Sequence, residues 1–127
     1  MYELTIKTEF SSAHNLRGYD GACERLHGHN WRVEVSVESE TLGPMGFVLD
    51  FKELKAATAS IVEKLDHRYL NETPPFTKIN PSAELIARFI HDELYTTLLK
   101  DKAGVRVKEV SVWESETAAA TYREDRE

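Results

Sequence analysis

Apolar residues recur at every second position near both ends of the chain and at every third or fourth position in its middle. Tyr2, Leu4, Ile6 and Phe10 fall on even numbers, while Trp31, Val33, Val35 and Val37 alternate with Arg32, Glu34, Ser36 and Glu38. A period of two marks a strand with one buried face. Residues 2–14 and 28–39 are therefore predicted as strands, joined by a polar, Gly-containing stretch from Asn15 to Ala22 that leads to Cys23. After the turn-rich connector 40–46 the period changes. Phe51, Leu54, Thr58, Ile61 and Leu65 form one helical stripe, with Asp50 as N-cap and Glu53 placed for a capping box. Segment 66–75 breaks the stripe. Asn80 followed by Pro81 reads as a second helix start, and Leu85, Ile86, Phe89, Ile90, Leu94 and Leu98 give that helix its apolar face, which Gly104 ends.

Strand character returns from Val105 to Glu114. Val105 and Val107 are odd and Val110 and Val112 even, so a β-bulge is predicted near Lys108 and Glu109. A short strand over Ala119–Tyr122 precedes a charged tail, 123–127, expected to fray. The order β-β-α-α-β-β over one domain, 1–127, predicts an α+β fold: an antiparallel sheet with both helices on one face. Two helices leave the second face and the sheet edges without a partner. A ring of subunits closing the sheets into an oligomeric barrel would cover both.

The same parity places three histidines. His14 continues the even set of the first strand, and His27 and His29 continue the odd set of the second, with Gly28 adding no side chain opposite them. An H-x-H pair alone is commonplace, and histidines in strands usually serve structure. Three imidazoles at the end of an apolar face need a partner, however, and a divalent metal suits them: imidazole is a preferred zinc ligand, and three protein ligands leave a fourth position open. Cys23 lies between these histidines as the only cysteine, so no intrachain disulfide exists, and a lone thiol is either inert or reactive. His91 falls outside every motif and is read as structural or exposed.

Composition narrows the partners. With 127 residues, 30% charged and a net charge of −6, the chain offers nucleic acid no bulk attraction. No apolar stretch is long enough to span a bilayer, and the first residues lack the pattern of a signal peptide, so a cytoplasmic location is expected.

His14, Cys23-x-x-x-His27-Gly-His29, Leu65-Asp66-His67-x-x-Leu70-Asn71 and Val112-Trp113-Glu114 together resemble the 6-pyruvoyltetrahydropterin synthase family, over residues 10–122. The three-residue gap between the cysteine and the HGH run is similar to the branch that makes 6-carboxy-5,6,7,8-tetrahydropterin for queuosine-type deazapurines. The resemblance implies the tunnelling fold, with trimers stacking into a homohexamer and active sites between subunits. It implies zinc on His14, His27 and His29, proton transfer by Cys23, a relay of Asp66 and His67, and Glu114 as anchor of the pterin. Glu114 shares the parity of Val110 and Val112, so its carboxylate lies along an apolar set, and a pterin edge offers adjacent N–H donors to it; Glu116 is the rival acceptor. The implied substrate is 7,8-dihydroneopterin triphosphate, for whose phosphates Lys7, Arg17, Arg25 and Arg68 are candidate cations.

One departure from the family pattern stands at Ser82-Ala83, where hydroxyl residues usually occupy both positions; Ser82 is the remaining candidate for a pterin contact. Two rivals to the carboxytetrahydropterin reading are a triphosphate lyase that stops at 6-pyruvoyltetrahydropterin and a non-catalytic pterin- or metal-binding module.

Overall fold

The computed structural model describes residues 1–18 and 25–125. Four strands, β1 (Tyr2–His14), β2 (His27–Ser39), β3 (Arg106–Ser115) and β4 (Ala118–Tyr122), form one antiparallel sheet in sequence order. Between β2 and β3 run α1 (Phe51–Glu63) and α2 (Ala83–Leu94), the latter continued by a single π-type turn, Tyr95–Leu99. The α+β class, element order and antiparallel pairing match the sequence reading.

Alternation sets which face is covered. Leu4, Ile6 and Phe10 of β1, Trp31, Val33, Val35 and Val37 of β2, and Val107, Val110 and Val112 of β3 are buried together with Leu54, Ile61, Ile86, Ile90 and Leu94 of the helices. The opposite face is polar and held by cross-strand pairs: Thr5 with Ser36 (2.9 Å), Lys7 with Glu34 (4.0 Å), and Ser111 with Thr121 (2.6 Å). The tail begins with a fixed residue, since Arg123 pairs with Glu109 at 2.6 Å; residues 126 and 127 lie outside the described residues.

The bulge predicted near Lys108 is present. The register passes from Ser36 opposite Glu109 to Val37 opposite Val107, so Lys108 is the extra residue and both valine pairs keep to the core face. Gly104, with φ +80°, turns the chain into β3 in a conformation that disfavours a side chain.

Three local expectations need correction. Phe51 heads the α1 stripe in the sequence but is 52% exposed; Leu54, Thr58 and Ile61 carry the buried stripe, and Leu65, just past the end of the helix, is buried with them. Asp50 does cap α1, accepting from Lys52 N at 2.8 Å, but Glu53 pairs with Lys102 at 2.9 Å. The cap of α2 is Ser82, whose Oγ accepts from Leu85 N at 3.2 Å, and not Asn80. Asn80 is occupied elsewhere: its amide bonds both backbone groups of Arg17.

Candidate metal centre and adjoining cavities

In the β1–β2 ladder His14 lies opposite His27, Ser12 opposite His29, and Phe10 opposite Trp31. Residues directly opposite in an antiparallel pair share a face, so the three imidazoles gather where that face runs out of helix cover. His27 packs edge-on to His14 at 4.5 Å between ring centroids and to His29 at 4.7 Å. Trp31, fully buried, forms the floor: its indole lies edge-on to both His14 (4.9 Å) and His29 (5.1 Å), stacks on Phe10, and donates to Ser12 O at 3.3 Å.

Hydrogen bonding fixes which nitrogens are free. The carbonyl of Pro81 can only accept, so His14 Nδ1, 2.7 Å away, carries the proton and leaves the Nε2 lone pair bare. His27 Nδ1 meets the Arg25 carbonyl in the same way at 2.7 Å. Such anchoring of the remote nitrogen is what orients metal-binding imidazoles. Burial pushes the His14 imidazole below its ordinary pKa, against the pull of the Pro81 carbonyl; burial also lowers His29, against the attraction of Glu114. Both are thus biased to the neutral form a metal requires.

Glu114 completes the group. Its Oε1 stands 2.8 Å from His29 Nε2, 3.3 Å from His14 Nε2 and 3.9 Å from His27 Nε2. A second bulge brings it there. Trp113 faces Ala119 and Ser115 faces Ala118, so Glu114 is an extra residue without a ladder partner. Despite the proximity, His14 Nε2 and His29 Nε2 are buried without a well-directed hydrogen bond among the described residues.

Three imidazole nitrogens and one carboxylate oxygen, all within 4.8 Å of one another, fit a divalent metal ion. Nitrogen ligands about 2.0–2.1 Å from a tetrahedral zinc stand about 3.3–3.4 Å apart, which small side-chain adjustments reach here. The orphaned Nε2 atoms are the independent sign of that fit, because bare buried acceptors are costly without a partner.

Asp66 and His67 lie beside this group on the outer edge of β1. Asp66 Oδ1 accepts from Ser11 N at 2.9 Å, His67 N donates to Ser11 O at 2.6 Å, Ala13 N donates to Arg68 O at 3.0 Å, and Ser12 Oγ donates to the Leu65 carbonyl. Asp66 Oδ2 is 3.0 Å from His67 Nδ1, and the Ser11 amide followed by His67 holds its carboxyl below the usual range. His67 takes φ +54°, a left-handed conformation that costs a β-carbon about 1–2 kcal/mol. Its ring is 82% exposed.

A cavity of about 550 Å³ is lined by His67, Arg68 and Tyr69 on one side and by Ser12 and His29 on the other. A second, of about 440 Å³, is lined by Glu9, His29, Asn30, Arg32, Glu114 and Glu116. His29 belongs to both, so the histidine cluster stands between His67 and the Glu114 side.

The sequence-derived residues distribute as follows. His14, His27 and His29 converge, and Asp66 and His67 adjoin them. Glu114 lies nearer the histidines than an anchor role alone requires. Ser82 Oγ caps α2 by accepting from Leu85 N. Cys23 lies outside the described residues. His91 is buried, bonded through Nδ1 to Asp92 at 2.9 Å and packed on Tyr122. Trp31 was legible as part of the site from its shared parity with His27 and His29; the bulge at Glu114 had no such signal.

The sequence profile of the family described as 6-pyruvoyl tetrahydropterin synthase matches residues 3–125. A 6-carboxy-5,6,7,8-tetrahydropterin synthase of Synechocystis is 38% identical over 128 residues, covering 96% of this chain and 93% of that one. A dihydroneopterin monophosphate aldolase of Pyrococcus furiosus is 36% identical over 111 residues, covering 87% and 88%. Among solved structures, the 6-pyruvoyl tetrahydropterin synthase of Caenorhabditis elegans superposes with a TM-score of 0.81 at 25% identity, covering 98% of both chains. Matched along nearly its whole length in sequence and in fold, the chain belongs to the 6-pyruvoyl tetrahydropterin synthase family.

Proposed function

We propose that the protein is a zinc-dependent 6-carboxy-5,6,7,8-tetrahydropterin synthase, a lyase that converts 7,8-dihydroneopterin triphosphate and water to 6-carboxytetrahydropterin, acetaldehyde and triphosphate. The observation that supports it most is the convergence of three imidazole Nε2 atoms, two of them on rings anchored through Nδ1 to backbone carbonyls, beside the cavity that holds His67. The Synechocystis relative bears the name of this activity.

Zinc held by His14, His27 and His29 would supply Lewis acidity toward the oxygens of the pterin side chain. The chain's own groups do the rest. Asp66 holds the His67 ring through Nδ1, leaving Nε2 to exchange a proton with the substrate in the shared cavity. Cys23 is assigned the proton-transfer partner of His67; since a free cysteine thiol titrates near ~8.5, a cationic neighbour is what would make it a thiolate at neutral pH. Glu114 receives the N–H donors of the pterin edge from the carboxylate-side cavity, where Glu116 is the alternative acceptor. Ser82, which caps α2 with an accepted bond, can still donate its hydroxyl proton and is the remaining candidate for a pterin contact.

Of the four candidate cations, Arg17 is committed to the carbonyls of Asn71, Phe76 and Ile79, and Lys7 pairs with Glu34 on the other face. Arg68 lines the cavity beside His67 and is the cation assigned to the triphosphate; Arg25 flanks His27. The assembly proposed is a homohexamer of two trimeric barrels, whose interior would be the polar, charge-paired face of the sheet. The metabolic setting proposed is queuosine-type deazapurine synthesis in the cytoplasm. No helix of the described residues is long and apolar enough to cross a membrane.

The likeness to the C. elegans enzyme favours a second reading, in which the reaction stops at 6-pyruvoyltetrahydropterin. Anaerobic incubation of the zinc-loaded protein with 7,8-dihydroneopterin triphosphate separates them. Carboxytetrahydropterin with trapped acetaldehyde establishes the first reading, pyruvoyltetrahydropterin alone the second, and absence of both products refutes each. The same assay with 7,8-dihydroneopterin monophosphate tests the activity named for the P. furiosus relative. Replacing Cys23 by Ala is expected to abolish turnover while zinc stays bound.

A further inference from the structure

The Leu65-Asp66-His67-x-x-Leu70-Asn71 run gives its first half to the proposed chemistry and leaves Asn71 with no part in it. Yet Asn71 is only 7% exposed, and both ends of its amide are in use. Its Oδ1 accepts from Asn15 N at 2.9 Å and its Nδ2 donates to Asn15 O at 2.9 Å. Paired bonds to one residue are what a neighbouring strand would offer. They appear where β1 has just ended and the relay segment turns away into the 3-10 turn Leu70–Glu72. Tyr69 adds a bond from its hydroxyl to Asn15 Oδ1 at 2.6 Å, and Arg17 Nη2 fixes the Asn71 carbonyl at 2.9 Å.

Asn15 directly follows the metal-binding His14, and Asn71 closes the segment that carries Asp66 and His67. That segment is tied to β1 at its other end by the bonds of Asp66 and His67 to Ser11. His67, in its unfavourable left-handed conformation, belongs to the first attachment through its backbone N–H, Arg68 O accepts from Ala13 N next to it, and Asn71 makes the last attachment four residues further on.

We infer that Asn71 is a positioning residue, whose side-chain amide locks the relay segment to Asn15 and so sets where His67 stands relative to the metal group; its part in turnover rests on the lyase reading above. The chemical requirement is narrow. One planar group must present a donor and an acceptor side by side; aspartate has acceptors only, and would set a carboxylate against the Asn15 carbonyl. The metal ligands do not depend on this clamp, because the β1–β2 register aligns all three and Pro81 orients His14.

The test compares wild type with Asn71→Asp, Asn71→Ala and the milder Tyr69→Phe, which removes one bond and leaves the amide pair. Cobalt(II) titration, read by its visible absorption, reports the ligand set; steady-state kinetics report the relay; hydrogen exchange reports segments 11–15 and 66–71. The Asn71 variants are expected to bind cobalt within about threefold of wild type with an unchanged spectrum. Their KM should stay within about twofold while kcat falls by about 30- to 100-fold, the scale of a misplaced catalytic group. Exchange protection should fall in both segments together, with Tyr69→Phe intermediate. Unchanged kcat, a kcat loss that merely follows cobalt affinity, or exchange confined to one segment overturns the proposal. Cobalt binding and exchange need no turnover, so a wild type inactive toward the pterin would sink the lyase reading while the clamp is still decided.

Discussion

Replacing Trp31 by Phe tests whether the floor of the metal group belongs to the site or only to the core. Trp31 is fully buried, stacks on Phe10 and lies edge-on to His14 and His29. Phenylalanine sets a six-membered ring where the inner, five-membered ring stood, so the indole N–H of that inner ring and the outer benzo ring are both lost. The bond lost to Ser12 O is long, 3.3 Å, which puts its worth at the low end, about 0.5–1 kcal/mol. The missing ring atoms and the gap beneath two imidazoles add about 1–1.5 kcal/mol, since a phenyl ring still fills part of the space. The total is about 2 kcal/mol. An unfolding entropy of about 2.1 cal/mol/K per residue gives about 0.27 kcal/mol/K for this chain, so Tm should fall by about 7 °C. Scanning calorimetry of the metal-free protein measures this without the added stability of a bound ion. Loosened imidazoles should also cost about tenfold in cobalt affinity, as changes behind metal ligands do. A Tm drop below 2 °C, or full stability loss with unchanged cobalt affinity, refutes the reasoning.

Acidification tests the buried imidazoles. His14 and His29 titrate lower in the folded, metal-free protein than their unfolded value near ~6.5, so below that value the unfolded chain binds more protons. Stability of the metal-free protein should be level above about pH 7.5 and fall as pH drops through ~6.5; a Tm that rises on acidification contradicts it. At His67, Gly should be more stable than Ala by about 1 kcal/mol, since only Ala keeps the penalty of φ +54°, and both should be inactive. Chemical denaturation ranks the two, and equal midpoints would remove the claim of strain. Arg68→Ala should raise KM for 7,8-dihydroneopterin triphosphate about tenfold, with a smaller effect on the monophosphate; equal effects on both would show that Arg68 does not recognise phosphate number.

Alternation made the strands and the histidine cluster legible, because a period of two fixes the face of every residue in a regular strand. It revealed the bulge at Lys108 because valines on both sides record the change of phase. The bulge at Glu114 left no such record, since Ser115, Glu116 and Thr117 carry no apolar rhythm. Parity still put the carboxylate on the correct side, but its closeness to three imidazoles came from the bulge. The cap of α2 departs from the local pattern for another reason. Asn80 and Pro81 look like a local helix start, whereas their polar atoms serve Arg17 and His14, more than sixty residues away in sequence. The seating of Asp66 and His67 on the edge of β1 is likewise a long-range arrangement, and no local pattern encodes it.

Because His14 and His27 form the last opposed pair of the β1–β2 ladder, an ion held by both would close the connection 15–26 into a ring. A slip of one residue between the strands would turn the apolar side chains of one strand outward and also carry an imidazole to the wrong side. Two unrelated criteria, burial and coordination, thus select the same alignment. Metal uptake would therefore double as proofreading of the hairpin, since a chain paired out of step has no complete set of donors to offer.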